Sequence, residues 1–244
     1  MSKRTYVRRA QHLGVSYRIA VGILWPLMRT IVDWDVQGSE RLTHAEGGII
    51  VAPNHLSWFE PPVVAMVLWE ADRPPRFLGK DAVFRIPVIG RLLLNAGQIP
   101  VYRDTPEVAA AVRDALSALD RGECVVVYPE GTITRDPDLW PMAAKTGAVR
   151  LALASGRPLY PMAQWGPHEV MRPYAKELHL FPRKTMHIRV GDPVDLSDLR
   201  ERPIDADTLA IGGERLMDVI TAMLSDIRQE KPPSERMVFR RTQQ

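Results

Sequence analysis

Gly47-Gly48-Ile49-Ile50-Val51-Ala52-Pro53-Asn54-His55-Leu56-Ser57-Trp58-Phe59-Glu60-Pro61-Pro62 is the stretch on which the reading of this chain turns. Two glycines lead into a short, β-branched apolar run, the pattern of a fully buried strand. Pro53 closes it, since proline cannot donate to a strand ladder. Pro61 and Pro62 fit a helix only in its first turn, where amide hydrogens have no intrahelical partner. The stretch therefore predicts strand, turn and then a helix through about Ala71, with a polar cluster held in the turn.

The same alternation continues on both sides. Asp33 to Gln37 reads as a short strand, Arg76 to Gly79 as another, and Ile86 to Leu94 as a short apolar helix or turn. Thr105 to Arg121 is the clearest helix. Thr105 is a good cap, Pro106 a good first residue, Val108, Val112, Ala115, Leu116 and Leu119 recur at helical spacing, and Gly122 ends it. Glu123 to Tyr128 is a buried strand, and Ala143 to Ala154 a helix stopped by Gly156. Leu159 to Ala163 and Met186 to Val190 are strands. Thr208 to Gln229 is a helix with Leu216, Val219, Ile220, Met223 and Ile227 on its stripe. Strands alternating with helices predict a single α/β domain over residues 36–230, with a largely parallel or mixed sheet flanked by helices. An N-terminal amphipathic helical segment, residues 1–35, precedes it, and a polar, loose tail, residues 231–244, follows. Sites in such folds gather beyond strand ends, here at 53–62 and 129–141.

Composition bounds the function. The chain has 244 residues, 45% of them apolar, enough for a sizeable core. Its one cysteine, Cys124, excludes an intrachain disulfide and sits in an apolar run that predicts a buried, inert thiol. The net charge is only +3, yet residues 1–32 carry six basic side chains and no acid, so the remainder is slightly acidic. Around those basic residues, Ile19 to Met28 is apolar. It lacks a small-residue cleavage site and is about half the roughly 20 residues that a spanning helix needs. The expectation is a helix lying on an anionic membrane surface, with a helix packed on the domain as the alternative. Nucleic acid is not expected, because the basic residues alternate with apolar ones and offer no base-stacking surface.

Three clusters carry chemistry. His55 and Glu60, five residues apart across a turn, can fold together so that the carboxylate accepts from one ring nitrogen. The other nitrogen is then left to take a proton. Ser57 and Glu60 also match a helix capping box. That box would put Pro62 at a position that must donate a helical hydrogen bond, so the helix is expected to start at Pro61 with Glu60 free for the histidine. Arg103, just past Gln98-Ile99-Pro100-Val101-Tyr102, suits a phosphate through its bidentate fork; taken alone, a solvated arginine explains it as well. Glu130-Gly131-Thr132 follows the apolar run Val125 to Tyr128. It reads either as a glycine turn that lets a ligand approach the backbone or as a tight turn with a solvated Glu130.

Together these segments resemble the glycerophospholipid acyltransferases, the family that includes lysophosphatidic acid acyltransferase. The family's His-x4-Asp motif looks like His55 and Glu60, here with Asn54 and Ser57. Its second motif looks like Gly97 to Arg103, with Lys80 and Ile86-Pro87-x-x-Gly90 ahead of it. Its Phe-Pro-Glu-Gly-Thr-Arg-Ser motif looks like Tyr128 to Thr134, and its fourth like Pro158-Leu159-Tyr160-Pro161. The sequence departs from the family pattern at Glu60, where aspartate is usual, and at Ile133, which replaces an arginine that Arg135 stands to supply.

The resemblance implies transfer of a fatty acyl chain from a thioester, acyl-CoA or acyl-carrier protein, to the free hydroxyl of 1-acylglycerol 3-phosphate, a step of phospholipid synthesis. His55 and Glu60 would be catalytic. Asn54, Ser57, Lys80, Arg103, Glu130, Gly131, Thr132 and Arg135 would bind substrate. It implies no cofactor beyond the acyl donor, and the histidines lack metal-ligand spacing. The expected partners are the donor, the lysophospholipid and an anionic membrane at its cytoplasmic face, with the protein peripheral or monotopic. Other acceptors (glycerol 3-phosphate, a lyso-amino-lipid, a glycolipid) and a non-catalytic lipid-binding module are the alternatives. A serine hydrolase is disfavoured by the absence of Gly-x-Ser-x-Gly.

Overall fold

The computed structural model describes residues 15–102 and 108–239. In chain order the described elements are α1 (Val15–Ile31), β1 (Val32–Gln37), α2 (Glu40–His44), β2 (Ile49–Pro53), α3 (Glu60–Glu70) and β3 (Pro75–Lys80). Next come α4 (Asp81–Phe84), α5 (Ile89–Asn95), β4 (Ile99–Val101), α6 (Val108–Asp120) and β5 (Cys124–Val126). The chain continues with α7 (Gly147–Ser155), β6 (Leu159–Trp165), α8 (Pro167–Val170), β7 (Lys184–Val190) and α9 (Ala206–Arg228).

The strands form one seven-stranded sheet in the order β1-β7-β6-β2-β5-β3-β4. All neighbours are parallel except β6 and β7, so β1 and β7 run opposite to the other five. The expected α/β domain with a mixed sheet is what forms. The buried run Ile49 to Pro53 is central, between β5 and β6. Its period of two sends Ile50 and Ala52 into a core with α6, α7 and α9, and Ile49 and Val51 into a second core with α1 and α3. Gly48 is needed at its entrance, since a Cβ there would stand 2.1 Å from the Leu119 carbonyl oxygen.

Cys124 is buried in the second core, and burial pushes its thiol up to about 12, as an inert thiol requires. Three expectations need correction. The helix before the second core starts at Glu60, one residue earlier than expected. On α9 the buried stripe is Leu209, Leu216, Met217, Ile220 and Leu224, whereas Val219 faces outward. The tail is not loose as far as Phe239. Arg236 pairs with Glu214 and Asp218 on α9, and the Met237 carbonyl accepts the amide of Ala143 at 2.9 Å. Residues 240–244, like 1–14 and 103–107, lie outside the described residues.

Candidate active site

Because β2, β3, β5 and β6 are parallel, their C-terminal ends share one edge of the sheet. Asn54-His55 leaves β2 there, and Tyr128 to Thr134 follows β5. Adjacent strands thus bring together two motifs more than 70 residues apart in sequence.

His55 Nδ1 lies 2.5 Å from Glu60 Oε2, and Glu60 is fully buried. An ionised carboxylate only accepts, so Nδ1 carries the shared proton and Nε2 is left as the basic nitrogen. The imidazole stacks on the ring of Tyr128, centroids 4.2 Å apart, and keeps a narrow opening to solvent. Burial pushes the Glu60 carboxyl upward, while the His55 charge and hydrogen bond, then the amides of Leu56 and Ser57, pull it down.

Glu60 also settles the capping question. Its Oε1 accepts from the amides of Leu56 and Ser57, the latter at 3.0 Å. The reciprocal box does not form, since Ser57 Oγ accepts from the Phe59 amide; the carboxylate instead sets one oxygen on the turn and the other on the histidine. The sequence reading treated these as alternatives. The extra methylene relative to aspartate lets a residue inside the first helical turn fold back that far.

Three residues expected to touch substrate, Asn54, Ser57 and Glu130, are buried, and their side chains hydrogen-bond main chain. Asn54 and Gln164 exchange hydrogen bonds. Asn54 Nδ2 donates to the Gln164 carbonyl, the Gln164 amide to Asn54 Oδ1, and Gln164 Nε2 to the Asn54 carbonyl. Ser57 Oγ donates to the Met171 carbonyl at 2.6 Å and accepts from the Phe59 amide. Glu130 accepts the His55 amide on one oxygen, at 2.8 Å, and the Met142 amide on the other, at 3.0 Å. Burial pushes its carboxyl up to about 8, against the pull of those amides.

The remaining expected binding residues are nearer solvent. Lys80 ends β3, exposed, at the same sheet edge. Gly131 makes the turn with a φ of 71°. Thr132 Oγ1 lies 3.5 Å from the Tyr174 hydroxyl. The guanidinium of Arg135 lies over the Tyr174 ring at 3.7 Å, and among the described residues no carboxylate pairs with it. Ile133 is buried, so a cation could not stand there without desolvation, and Arg135 is the residue presented outward instead. Arg103 lies outside the described residues.

Sequence reading missed Gln164 and Tyr174. Gln164 sits in an apolar strand without a motif around it. Tyr174 holds a left-handed backbone (φ 61°), donates to the Ile133 carbonyl at 2.5 Å and meets Trp58 edge-on. Trp58, Tyr174 and Arg135 thereby form one packed cluster against the turn that follows β5. No cluster of metal-ligating side chains occurs among the described residues.

A profile described as acyltransferase matches residues 33–165. The chain therefore belongs to the acyltransferase family, as its motifs implied. Among curated relatives, the chloroplastic 1-acyl-sn-glycerol-3-phosphate acyltransferase BAT2 of Brassica napus is 27% identical, over 68% of this chain and 45% of that protein. The 1-acyl-sn-glycerol-3-phosphate acyltransferase of Limnanthes douglasii is 32% identical, over 56% and 47%. The chain thus spans about half the length of these relatives. The crystal structure of the 1-acyl-sn-glycerophosphate acyltransferase PlsC from Thermotoga maritima shares the fold. Its TM-score is 0.67 at 18% identity, covering 89% of this chain and 83% of that one.

Proposed function

We propose that this protein transfers a fatty acyl chain from an acyl thioester to the free hydroxyl of 1-acylglycerol 3-phosphate, giving phosphatidic acid. The observation that carries this reading is the buried Glu60 holding His55 Nδ1, which leaves Nε2 as the basic nitrogen of a ring that keeps some exposure to solvent. Nε2 takes the acceptor's hydroxyl proton as its oxygen attacks the thioester carbonyl. The tetrahedral intermediate collapses, the C–S bond breaks, and the thiolate leaves with the proton held on His55. No acyl-enzyme is needed. The names of the curated relatives support the acceptor.

In this reading Arg135, Lys80 and Arg103 face the acceptor phosphate, with Thr132 and Gly131 alongside. The protein works at the cytoplasmic face of an anionic membrane. Support for that comes from the basic, acid-free first 32 residues and from α1, which exposes Ile19, Ile23 and Leu27. No helix among the described residues is long and apolar enough to cross a membrane.

The test is an acceptor panel with one radiolabelled acyl thioester. 1-Acylglycerol 3-phosphate should be the best acceptor, ahead of glycerol 3-phosphate, lyso-amino-lipids and glycolipids. Thioester that stays intact with every acceptor would return the protein to a lipid-binding module.

A further inference from the structure

The segment from Asp81 to Asn95 is rich in large apolar side chains and buries almost none of them. Val83, Ile86, Val88, Ile89, Leu92 and Leu94 are all exposed, and Gly90 is the one buried residue of α4 and α5. No residue of the segment joins any of the hydrophobic clusters that make the core. A helix that packs on its own domain turns its apolar stripe inward; these two do not.

The segment is nonetheless built. Gly90 brings α5 against α4 so closely that a Cβ would stand 1.8 Å from the Phe84 carbonyl oxygen. The turn between the helices carries Val88 at φ 68°, a conformation costly for a β-branched residue, with 78% of its surface exposed. A strained, bulky apolar residue at an exposed tip is a poor choice for a surface that meets only water.

Two observations say what covers it. Lys80, Arg85 and Arg91 surround the apolar side chains against one acid, Asp81, which Arg85 pairs with at 2.7 Å. The surface is also continuous with α1, which packs on α5 and bears exposed Ile19, Ile23 and Leu27 beside Arg18 and beside Arg29, whose own partner is Glu70 at 2.7 Å. Apolar side chains among cations suit the boundary between lipid headgroups and acyl chains, where anionic lipid is the counter-charge. The segment also leaves β3 at the sheet edge that carries His55.

We infer that the α4–α5 knob, with Val88 at its tip, inserts into the interfacial region of an anionic bilayer and sets the site at the lipid surface. This rests on the reading of the protein as acting on a lipid acceptor.

The experiment uses the full chain and vesicles of phosphatidylcholine doped with phosphatidic acid. The double variant Val88→Glu, Leu92→Glu changes only exposed side chains, so folding should survive. Its vesicle affinity should fall about tenfold or more, since each lost insertion removes apolar burial. Ile211→Glu, an exposed apolar position on α9, should bind as the parent does. With the sole native thiol buried, Leu92→Cys can be labelled with an environment-sensitive dye, which should shift blue on vesicles and be quenched by quenchers in the lipid. Turnover of a short-chain, monomeric lysophosphatidic acid should stay within about twofold in the double variant, because the chemistry is untouched. Unchanged vesicle binding, or a dye that stays in water, overturns the inference. So does a parent dimer that the double variant dissolves, since a second copy would then own the surface. No turnover of the monomeric acceptor by the parent overturns the functional reading and leaves the knob to the vesicle result.

Discussion

Glu130 holds His55 by its main chain: the His55 amide donates to Glu130 Oε1 at 2.8 Å. The carbonyl of the same residue accepts the Thr134 amide at 2.7 Å. The turn after β5 therefore grips the His55 peptide from both sides, while Glu60 grips the ring. If Glu130 works this way, it governs turnover more than acceptor affinity. Glu130→Gln keeps one acceptor oxygen and sets an NH2 against the other buried amide. We expect kcat to fall about 10- to 100-fold with acceptor KM changed less than about threefold, and stability to drop by about 1–3 kcal/mol. Steady-state kinetics and denaturant melts measure both. A rise confined to acceptor KM would put Glu130 back in the binding site.

The His55–Glu60 pair has sharper consequences. His55→Ala should lower turnover about 10²–10⁴-fold with the fold intact. Glu60→Gln should lower it too, because an amide cannot balance the imidazolium charge. Glu60→Asp restores the usual family residue yet should still lose activity. One methylene shorter, the carboxylate cannot span both the amides of Leu56 and Ser57 and the ring of His55. Circular dichroism with turnover assays checks all three, and full activity in both His55→Ala and Glu60→Gln would falsify the mechanism.

Arg135 and Tyr174 bear on the acceptor. Arg135→Ala should raise acceptor KM about 10-fold or more, about the loss of one charge-assisted pair, with donor KM unchanged. Tyr174→Phe keeps the ring under the guanidinium but loses the bond to Ile133, so its effect should be smaller than that of Tyr174→Ala. An acceptor without phosphate should be blind to all three changes. Arg103→Lys should also raise acceptor KM, since a point charge does not replace a fork.

Acid should loosen the packing around α8. His168 lies against Trp165, with Arg228 of α9 facing it, and burial first, then that charge, pushes its imidazole down to about 4. The unfolded chain binds this proton near pH 6.5 and the folded one does not, so stability is present above pH 6.5 and lost as pH falls toward 4. One such group sets a slope of at most about 1.4 kcal/mol per pH unit. His168→Gln should flatten that part of a melting-temperature profile, whatever it does to the plateau.

Much of this was legible in the sequence because it was local. Glycines, a β-branched run and paired prolines dictate strand, turn and helix around His55, and the apolar periods dictate α6 and α7. What escaped was non-local. Gln164 reaches Asn54 across 110 residues of chain, and only the β2–β6 register shows it. Asn54, Ser57 and Glu130 stood in motifs, but sequence could not say that their polar atoms face main chain. The α9 stripe was misassigned at Val219 because helical spacing alone admits neighbouring faces. The docked tail escaped because Arg236 finds Glu214 and Asp218 only after α9 has packed.

The grip on the His55 peptide also bears on how the site meets its substrates. A base aimed by its own flexible side chain must be reoriented at each encounter, and that ordering adds to the barrier of every cycle. On the proposed mechanism, the Glu130 carboxylate and the Thr134 amide place the His55 peptide, and Glu60 the ring, before substrate arrives. The entropy of aiming the imidazole is given up once, when the chain folds, and not at each turnover.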